Sequence, residues 1–317
     1  PGQSLAELTS RLLLALDAHF EASQPDLVLV HGDTTSAMAG ALAAFYRQIE
    51  VGHVEAGLRT YDLKAPFPEE YNRQCTTKIA KWHFAPTQLS RENLVSEGVA
   101  ETDIFVTGNT VIDAMHWILS RIRTNYALRQ SVEKKLNKSL SFSWSTARFV
   151  LITGHRRENF GAGFSEICGA IADLAVRFPH IHFVYPVHLN PNVRQPVNVT
   201  LNRFSNIHLV EPLDYEAFLY LLSLSYFVMT DSGGIQEEAP SLGKPVLVFR
   251  DITERPEAVE AGTVKLVGTN KTKILAEASL LIENQAEYDK MSEAHSPYGY
   301  GDACSKILDA LKSEINV

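Results

Sequence analysis

Cysteine is scarce in this sequence, with three residues in a chain of 317 and no C-x-x-C pair among them. Such scattered thiols argue against a disulfide framework and against a thiolate metal site, and they suit a reducing compartment. The eleven histidines show no spacing typical of metal ligands. We therefore expect a protein that works in the cytoplasm without a bound metal.

Positive charge and long apolar runs are also in short supply. Lysine and arginine number 29 against 37 aspartates and glutamates, which gives a formal net charge of −8. No broad positive field is therefore expected to attract nucleic acid. The longest apolar runs, such as RFVLITG and KPVLVF, are far too short to cross a bilayer. Neither nucleic acid nor a membrane is an expected partner, although local groups could hold a small anion.

Several common nucleotide-binding and catalytic motifs are missing. The stretches GAGFSE and GYGDAC fail the third glycine of G-x-G-x-x-G, and GKP lacks the hydroxyl residue of a P-loop. H-E-x-x-H, G-x-S-x-G and the kinase signatures are absent as well. These absences argue against the usual redox and kinase classes, and we expect no cofactor.

What the chain does have is two blocks in which short apolar runs alternate with helical segments. The first block has four runs, from DLVLVHG to IFVTGNT, and the second has six, from RFVLITGH to TVKLVG. This alternation predicts parallel strands with helical crossovers, hence an α/β fold of two Rossmann-type, doubly wound domains. We predict an N-terminal domain over residues 1–120, a connection over 121–147, a C-terminal domain over 148–295, and a terminal helix within 296–317 that packs back on the N-terminal domain.

Ligands of open α/β sheets bind beyond the carboxyl ends of strands, and the stretch TDSGGIQEE follows such a strand. Gly233 and Gly234 allow the backbone to approach a ligand closely, and the amides that open the next helix favour a pyrophosphate. Glu238 lies one helical turn after Gly234, where its carboxylate could accept hydrogen bonds from ribose hydroxyls. The alternative is a turn capped by Ser232 or Asp231, and for Asp231 alone capping is favoured.

Carboxylates follow the first two strands of the N-terminal block. Asp33 comes after VHG, where an N-cap is its commonest role. Glu55 ends a run in which a buried parallel strand should carry apolar or turn residues. Glu69 and Glu70 follow two prolines, and capping or a solvated first turn would explain them. Several carboxylates in one cleft would suit acid–base chemistry at carbon, because their repulsion keeps one protonated while another stays ionised.

Two further strand ends carry candidate anion ligands. His155, with the neighbouring Arg156 and Arg157, follows VLITG and is more typical of an anion-binding edge than of a structural histidine. Arg255 precedes a proline at a predicted helix start. It could equally reach a phosphate or pair with Glu257.

Together these stretches resemble the bacterial non-hydrolysing UDP-N-acetylglucosamine 2-epimerases, especially the enterobacterial branch that serves common-antigen synthesis. The resemblance extends from residue 28 to about 268, through VHGDTTSAMAG, VGHVEAGLRTYDLKAPFPEEYNR, TGHRRENFG and TDSGGIQEEAPSLGKPVLV, and SPYGYGDAC near the end also fits. It implies the GT-B architecture, with the active site in the cleft between two Rossmann-type domains.

The resemblance also implies roles for individual residues. The UDP part of the substrate would be held by Leu213, Phe218, Ser232, Gly233, Gly234, Glu238 and Arg255. The sugar and the leaving group would be surrounded by Asp33, Glu55, Glu69 and His155. Among these, Leu213 and Phe218 would border the uracil.

The activity implied by the resemblance is reversible inversion at C2 of UDP-N-acetylglucosamine, giving UDP-N-acetylmannosamine. It would proceed by elimination and re-addition of UDP through 2-acetamidoglucal, in a homodimer that serves cell-surface polysaccharide synthesis. Family members have a strand and a GTRPE-like loop upstream of the position of Pro1, so we expect a preceding segment. Three alternatives stay open: a GT-B glycosyltransferase with a UDP-sugar donor, a hydrolysing epimerase that releases ManNAc and UDP, and an inactive UDP-sugar binding module.

Overall fold

The computed structural model describes residues 3–156 and 159–315. The described residues up to Asp113, together with those from Tyr298 onward, form one compact unit. A second compact unit extends from Ala114 to Pro297. Each unit contains one parallel sheet with helical crossovers.

The sheet of the first unit consists of β1 (Leu27–His31), β2 (Glu50–Val54), β3 (Trp82–Ala85) and β4 (Ile104–Val106). The strands are parallel and lie in chain order, so Gly52 of β2 is opposite Leu29 on one side and Trp82 on the other. The helices of this unit are α1 (Leu5–Ser23), α2 (Thr35–Tyr46), α3 (Glu69–Ile79), α4 (Gln88–Ser96), the start of α5 (Thr110–Thr124) and, from the end of the chain, α14 (Ala303–Ile315). The residues that follow β1 and β2 therefore share one edge of the sheet.

Helix α14 packs on the sheet of the first unit. Ile307 and Leu311 belong to one buried cluster with Trp82 and Phe84 of β3. Asp113 in α5 fixes the start of α14, because its carboxylate accepts hydrogen bonds from the first two amides of that helix at 3.1 and 2.9 Å. The last segment of the chain is thus an integral layer of this unit.

The sheet of the second unit consists of β5 (Phe149–Thr153), β6 (His182–Pro186), β7 (Ile207–Val210), β8 (Val228–Thr230), β9 (Val246–Val248) and β10 (Val264–Leu266). Its helices are α6 (Tyr126–Ser139), α7 (Ala162–Arg177), α8 (Pro191–Leu201), α9 (Tyr215–Leu224), α10 (Ile235–Glu238), α11 (Pro256–Glu260), α12 (Lys271–Glu283) and α13 (Gln285–Ser292). The strand order is β10-β9-β8-β5-β6-β7, and all neighbours are parallel.

The order of this second sheet reverses between β5 and β8. The chain runs outward from β5 through β6 to β7, returns to β8 beside β5, and then runs outward to β10. Thr153 and Thr230 are opposite each other where these two central strands end. Such a switch point leaves a crevice beyond the carboxyl ends of the strands, which is the usual ligand site of open α/β sheets.

All ten strands predicted from the sequence are present, and the doubly wound α/β class is confirmed. The segment 121–147, expected to connect the domains, contains α6 and falls inside the second unit. Over residues 3–156 and 159–315, no helix is both long and apolar enough to cross a membrane.

Candidate active site

The crevice at the β5–β8 switch point contains a cavity of about 230 Å³. Four residues predicted for the site border it: His155, Leu213, Phe218 and Ser232. The rest of the lining comes from Thr153, Gly154, Pro186, His188, Pro212 and Ile235. Apolar side chains are combined with imidazoles and hydroxyls, as in sites for small molecules that have both a ring and polar groups.

Three consecutive backbone amides lie at the turn after β8. The N–H groups of Gly233, Gly234 and Ile235 make no hydrogen bond to the part of the chain that the structure describes. By contrast, the Ser232 amide donates to the Thr230 hydroxyl at 2.9 Å. A run of unbonded amides is a ready group of donors for an anion. The pyrophosphate site stays a prediction, and these donors have the chemistry that it needs.

The two glycines of this turn have different surroundings. A Cβ on Gly233 would lie 2.7 Å from Nη1 of Arg255 and 3.0 Å from Oε1 of Glu254. A Cβ on Gly234 would meet no atom within 4 Å. Gly233 is therefore required by packing against the protein, whereas the space beside Gly234 is open.

Asp231 does not have the capping role that the sequence favoured. The N-cap of α10 is Gly234, with no side-chain cap bond, so capping by Ser232 is equally wrong. The fully buried Asp231 carboxylate accepts hydrogen bonds from the amides of His155 and Arg156, both at 2.9 Å. Because β5 ends beside β8, the amides of His155 and Arg156 lie within hydrogen-bonding distance of Asp231. Asp231 thus fixes the start of the segment that carries His155.

The His155 imidazole borders the cavity and is partly exposed. Burial lowers the pKa of His155, although the charge of Asp231 opposes this effect. The ring stacks on His188, with centroids 5.2 Å apart and planes inclined by 15°. A neutral imidazole here can donate one hydrogen bond to negative charge that develops on a leaving group. Arg157, which the sequence grouped with His155, lies outside the described residues.

Glu238 is almost completely buried, and its Oε1 accepts a hydrogen bond from the Tyr215 hydroxyl at 2.5 Å. Burial raises the pKa of Glu238, and the hydrogen bond from Tyr215 opposes that rise. Burial also raises the pKa of Tyr215, so its hydroxyl stays protonated and donates. The sequence did not identify Tyr215, even though it stands between Leu213 and Phe218.

Arg255 lies in a buried network of ion pairs. Its Nε donates to Glu237 and its Nη1 to Glu254, both at 2.5 Å, and Arg250 donates to Glu254 at 2.9 Å. Burial would raise the pKa of Glu254, but the charges of Arg255 and Arg250 outweigh it and hold that pKa at about 2. The sequence offered Glu257 as the alternative partner of Arg255, and the structure pairs it with these two carboxylates.

In the first unit, Glu55 follows β2 with a left-handed backbone, at a φ of 68°. Asn109 donates to its Oε1 at 3.1 Å, and Nε2 of His31 lies 4.0 Å from its Oε2. A Cβ on Gly32 would lie 2.9 Å from the same Oε2, so glycine leaves room for the carboxylate. Positive φ is uncommon outside glycine and concentrates at functional sites. The geometry therefore favours the functional explanation of Glu55.

Asp33 does not cap α2, because Thr34 does so by accepting a hydrogen bond from the Ala37 amide at 3.2 Å. The Asp33 carboxylate instead accepts a hydrogen bond from Nη2 of Arg73 at 2.5 Å. Arg73 also donates to the fully buried Glu70 at 3.2 Å. The guanidinium thus fixes the direction of the Asp33 side chain, which remains 25% exposed.

The adjacent glutamates Glu69 and Glu70 have opposite environments. Glu70 accepts hydrogen bonds from the amides of Thr60 and Tyr61 at 3.1 and 3.0 Å, and from the Gln74 side chain at 2.8 Å. It therefore organises the loop before α3 and is not a solvated first-turn residue. Glu69 is half-buried, and its side chain makes no hydrogen bond or ion pair with the described residues. A carboxylate in that setting is available to carry a proton.

Among the residues that the structure describes, no group of three or more His, Cys, Asp or Glu side chains could hold a metal ion. The three cysteines, Cys75, Cys168 and Cys304, are free thiols. Burial raises the pKa of Cys168 to about 12, so that thiol is unreactive at neutral pH.

Comparison with known proteins agrees with these features. The family described as UDP-N-acetylglucosamine 2-epimerase matches residues 1–312. The UDP-N-acetylglucosamine 2-epimerase of Escherichia coli strain K12 is 54% identical over 313 residues, which are 99% of this chain and 82% of the relative. The chain belongs to the UDP-N-acetylglucosamine 2-epimerase family. The relative from Campylobacter jejuni is 52% identical over 98% of this chain and 80% of its own length.

A solved epimerase structure, from Neisseria meningitidis with UDP-GlcNAc bound, matches with a TM-score of 0.92 and 48% identity. The match covers 99% of this chain and 83% of that chain. The two parallel-sheet α/β units are thus those of UDP-N-acetylglucosamine 2-epimerases, whose fold is GT-B-like. The predicted position of the active site in a cleft between the domains stays a prediction.

Three polar residues that contact the predicted site residues were not themselves predicted from the sequence. Arg73 stands three residues after Glu70, at helical spacing, and this spacing could have indicated their ion pair. Asn109 follows the end of β4 in the run VTGNT, the same kind of position that pointed to Glu55. No local pattern pointed to Tyr215.

Proposed function

We propose that this chain catalyses the reversible inversion of configuration at C2 of UDP-N-acetylglucosamine, giving UDP-N-acetylmannosamine. The observation that carries the proposal is the cavity at the β5–β8 switch point, which lies next to the unbonded amides of residues 233–235, in a chain of this family. Relatives whose structures contain UDP-GlcNAc or UDP support a uridine nucleotide as the ligand.

The nucleotide end of the substrate uses the second unit. The amides of Gly233 and Gly234, with Ser232, bind the pyrophosphate, since adjacent backbone donors stabilise phosphate oxygens. Leu213 and Phe218 supply an apolar wall for the uracil. Glu238 accepts hydrogen bonds from the ribose. Arg255 acts from the buried side, where its guanidinium lies against Gly233 and supports the turn that presents the amides.

The reaction at C2 requires loss of the nucleotide. The C2 proton has no carbonyl beside it, so its direct removal would be very slow. Elimination makes removal feasible: a base takes the proton from C2, the C1–oxygen bond to UDP breaks with its electron pair, and a C1–C2 double bond forms. The product, 2-acetamidoglucal, then takes a proton on the opposite face of C2 as the UDP oxygen returns to C1.

Four side chains serve these steps. Asp33 and Glu69 carry the protons, since both carboxylates keep part of their surface accessible. Glu55, held by Asn109 in a strained backbone position, orients or polarises the sugar. His155 donates a hydrogen bond to the departing diphosphate, whose charge grows as the C1–oxygen bond breaks.

We also propose that the enzyme is a cytoplasmic homodimer that provides a precursor for cell-surface polysaccharide. The three free thiols support a reducing compartment. The dimer and the polysaccharide role rest on the resemblance to the enterobacterial members of the family.

Incubation with UDP-N-acetylglucosamine, followed by proton NMR, tests the proposal. We expect UDP-N-acetylmannosamine to appear and the mixture to reach one composition from either starting sugar, with a small amount of UDP and 2-acetamidoglucal escaping over time. A glycosyltransferase would instead require an acceptor, and a binding module would be stabilised by UDP without turnover. Failure to interconvert the two sugars, with UDP still bound, would contradict the proposal.

A further inference from the structure

Tyr215 links the two parts of the candidate nucleotide site. It is the first residue of α9, and it stands in sequence between Leu213 and Phe218, which line the cavity. Its hydroxyl donates to Oε1 of Glu238 at 2.5 Å. One side chain therefore connects the segment assigned to the base with the carboxylate assigned to the ribose.

Two contacts of Asp214 anchor the start of α9, next to Tyr215. The Asp214 carboxylate caps the helix by accepting a hydrogen bond from the Ala217 amide at 3.0 Å. The same carboxylate accepts a hydrogen bond from Nζ of Lys135 in α6 at 2.6 Å. Both contacts fix the first turn of α9, and with it the backbone position of Tyr215.

The two oxygens of the Glu238 carboxylate are in different situations. Oε1 accepts the Tyr215 hydroxyl, whereas Oε2 makes no hydrogen bond with residues 3–156 or 159–315. Oε2 keeps some accessible surface, although Glu238 as a whole is only 5% exposed. A carboxylate oxygen in so largely buried a residue gains from a donor that a ligand brings. The pair is thus arranged to offer one carboxylate oxygen to an outside donor.

We propose that Tyr215 is a positioning residue that sets the selectivity for ribose, by occupying Oε1 of Glu238 so that Oε2 accepts the ribose hydroxyls. The inference rests on the proposed function, in which Glu238 binds the ribose of UDP. Hydrogen bonding to a carboxylate favours its ionised form, which accepts from both ribose hydroxyls, whereas a protonated carboxyl would present a donor. Tyr215 acts on the nucleotide through Glu238, and the reacting sugar carbons are not its target.

Titration calorimetry with UDP and with 2′-deoxy-UDP tests this role in wild type and in Tyr215→Phe. A hydrogen bond to a charged group changes affinity by about tenfold or more, so we expect the wild type to bind UDP about tenfold more tightly than the deoxy analogue. In Tyr215→Phe that ratio should fall to about threefold or less. The KM for UDP-N-acetylglucosamine should rise while kcat changes less than about twofold.

Tyr220→Phe is the matched control, because Tyr220 lies on the same helix and its hydroxyl contacts Glu133 rather than Glu238. The ratio of the affinities for UDP and 2′-deoxy-UDP in Tyr220→Phe should equal that of the wild type. Replacement of Tyr215 by 4-aminophenylalanine retains a donor at the same position and should restore the ratio, which a loss of packing alone would not explain. This rescue keeps the test decisive if Tyr215→Phe is less stable than the wild type.

Glu238→Gln separates the two ways in which the inference can be wrong. If Glu238→Gln discriminates between the nucleotides as well as the wild type does, the ribose role of Glu238 is wrong, and the role of Tyr215 is wrong with it. If Glu238→Gln loses discrimination but Tyr215→Phe keeps the wild-type ratio, Glu238 binds ribose and only the inference about Tyr215 is overturned.

Discussion

The acidic residues at the candidate site have opposite environments in the two units. In the second unit, Asp231 and Glu254 are buried, and amides or guanidinium groups satisfy their oxygens. In the first unit, Asp33, Glu55 and Glu69 keep part of their side chains accessible. Buried, paired carboxylates hold loops in place, whereas partly accessible ones can exchange protons with a ligand. The proposed function assigns the nucleotide to the second unit and the proton transfers to the first, and this difference in burial fits that assignment.

Asp33→Asn should give the largest effect, because it removes a proton carrier while preserving shape. We expect kcat to fall by about 10²- to 10⁴-fold, the usual contribution of general acid–base catalysis, with UDP affinity unchanged. Initial rates measured by NMR and UDP titration would show this split. Asp26→Asn, at an exposed position of the same unit, is the control. A kcat within threefold of wild type would remove Asp33 from the chemistry.

Glu254→Gln tests the structural side of the comparison. Neutralising one member of the buried network leaves Arg255 and Arg250 incompletely paired, so we expect a loss of about 3–5 kcal/mol in unfolding free energy. Urea denaturation measures it. The control is Glu283→Gln, which removes an exposed ion pair with Arg177 and should cost less than about 1 kcal/mol. Equal losses of unfolding free energy in the two variants would show that the buried network contributes no more to stability than an exposed ion pair.

Alanine substitutions at Gly233 and at Gly234 should distinguish a glycine required for packing from one required for UDP binding. Gly233→Ala places a methyl against Arg255 and Glu254, and we expect about 1–3 kcal/mol of destabilisation. Gly234 has helical φ and ψ angles of −59° and −36°, so Gly234→Ala should leave stability unchanged or raise it by up to about 1 kcal/mol. It should weaken UDP binding nonetheless, because the amide is kept but the methyl enters the open space where the pyrophosphate is proposed to lie. A Gly234→Ala variant that binds UDP normally would contradict a close approach of the pyrophosphate to this residue.

His53 gives the first unit a smaller, pH-dependent contribution. The side chain is fully buried, its Nε2 lies 2.9 Å from the Gly32 carbonyl oxygen, and burial lowers its pKa from 6.5 to about 3. Between these values the unfolded chain binds a proton that the folded chain does not. The contribution of the neutral, buried His53 to the free energy of unfolding is therefore fully present above pH 6.5 and is lost as the pH falls towards 3.

His53→Gln keeps a donor for Gly32 but cannot titrate. Relative to this variant, the wild type should lose about 1.4 kcal/mol of unfolding free energy per pH unit below about pH 6. Urea denaturation over that range measures the slope. His19→Gln, at an exposed position of α1, should follow the wild-type slope. Parallel profiles of wild type and His53→Gln would contradict the burial effect.

The sequence predicts the fold well because each strand is a continuous apolar run and because ligands gather beyond strand ends. That rule was enough to bring His155 and Ser232 to one cavity. It could not predict the partners of Asp33 and Asp231, since those are set by contacts 40 and 75 or more residues apart that depend on which strands are neighbours. A local cap was expected in both cases, and a more distant donor was found.

The same limit explains the two adjacent glutamates of α3. Periodicity and capping rules treat Glu69 and Glu70 as similar first-turn residues. Only the path of the preceding loop, whose amides meet Glu70, decides which carboxylate is structural. The buried Arg255 network likewise depends on the loop between β9 and α11 meeting the short α10.

Running the reaction in heavy water tests most directly whether the C2 proton is removed and replaced during the reaction. If a base in the first unit removes the C2 proton and a second group returns one to the opposite face, product UDP-N-acetylmannosamine must carry deuterium at C2. We expect one deuterium per product molecule at early times, accompanied by traces of 2-acetamidoglucal and UDP. Product formed without solvent deuterium at C2 would contradict the elimination mechanism and the roles of Asp33 and Glu69.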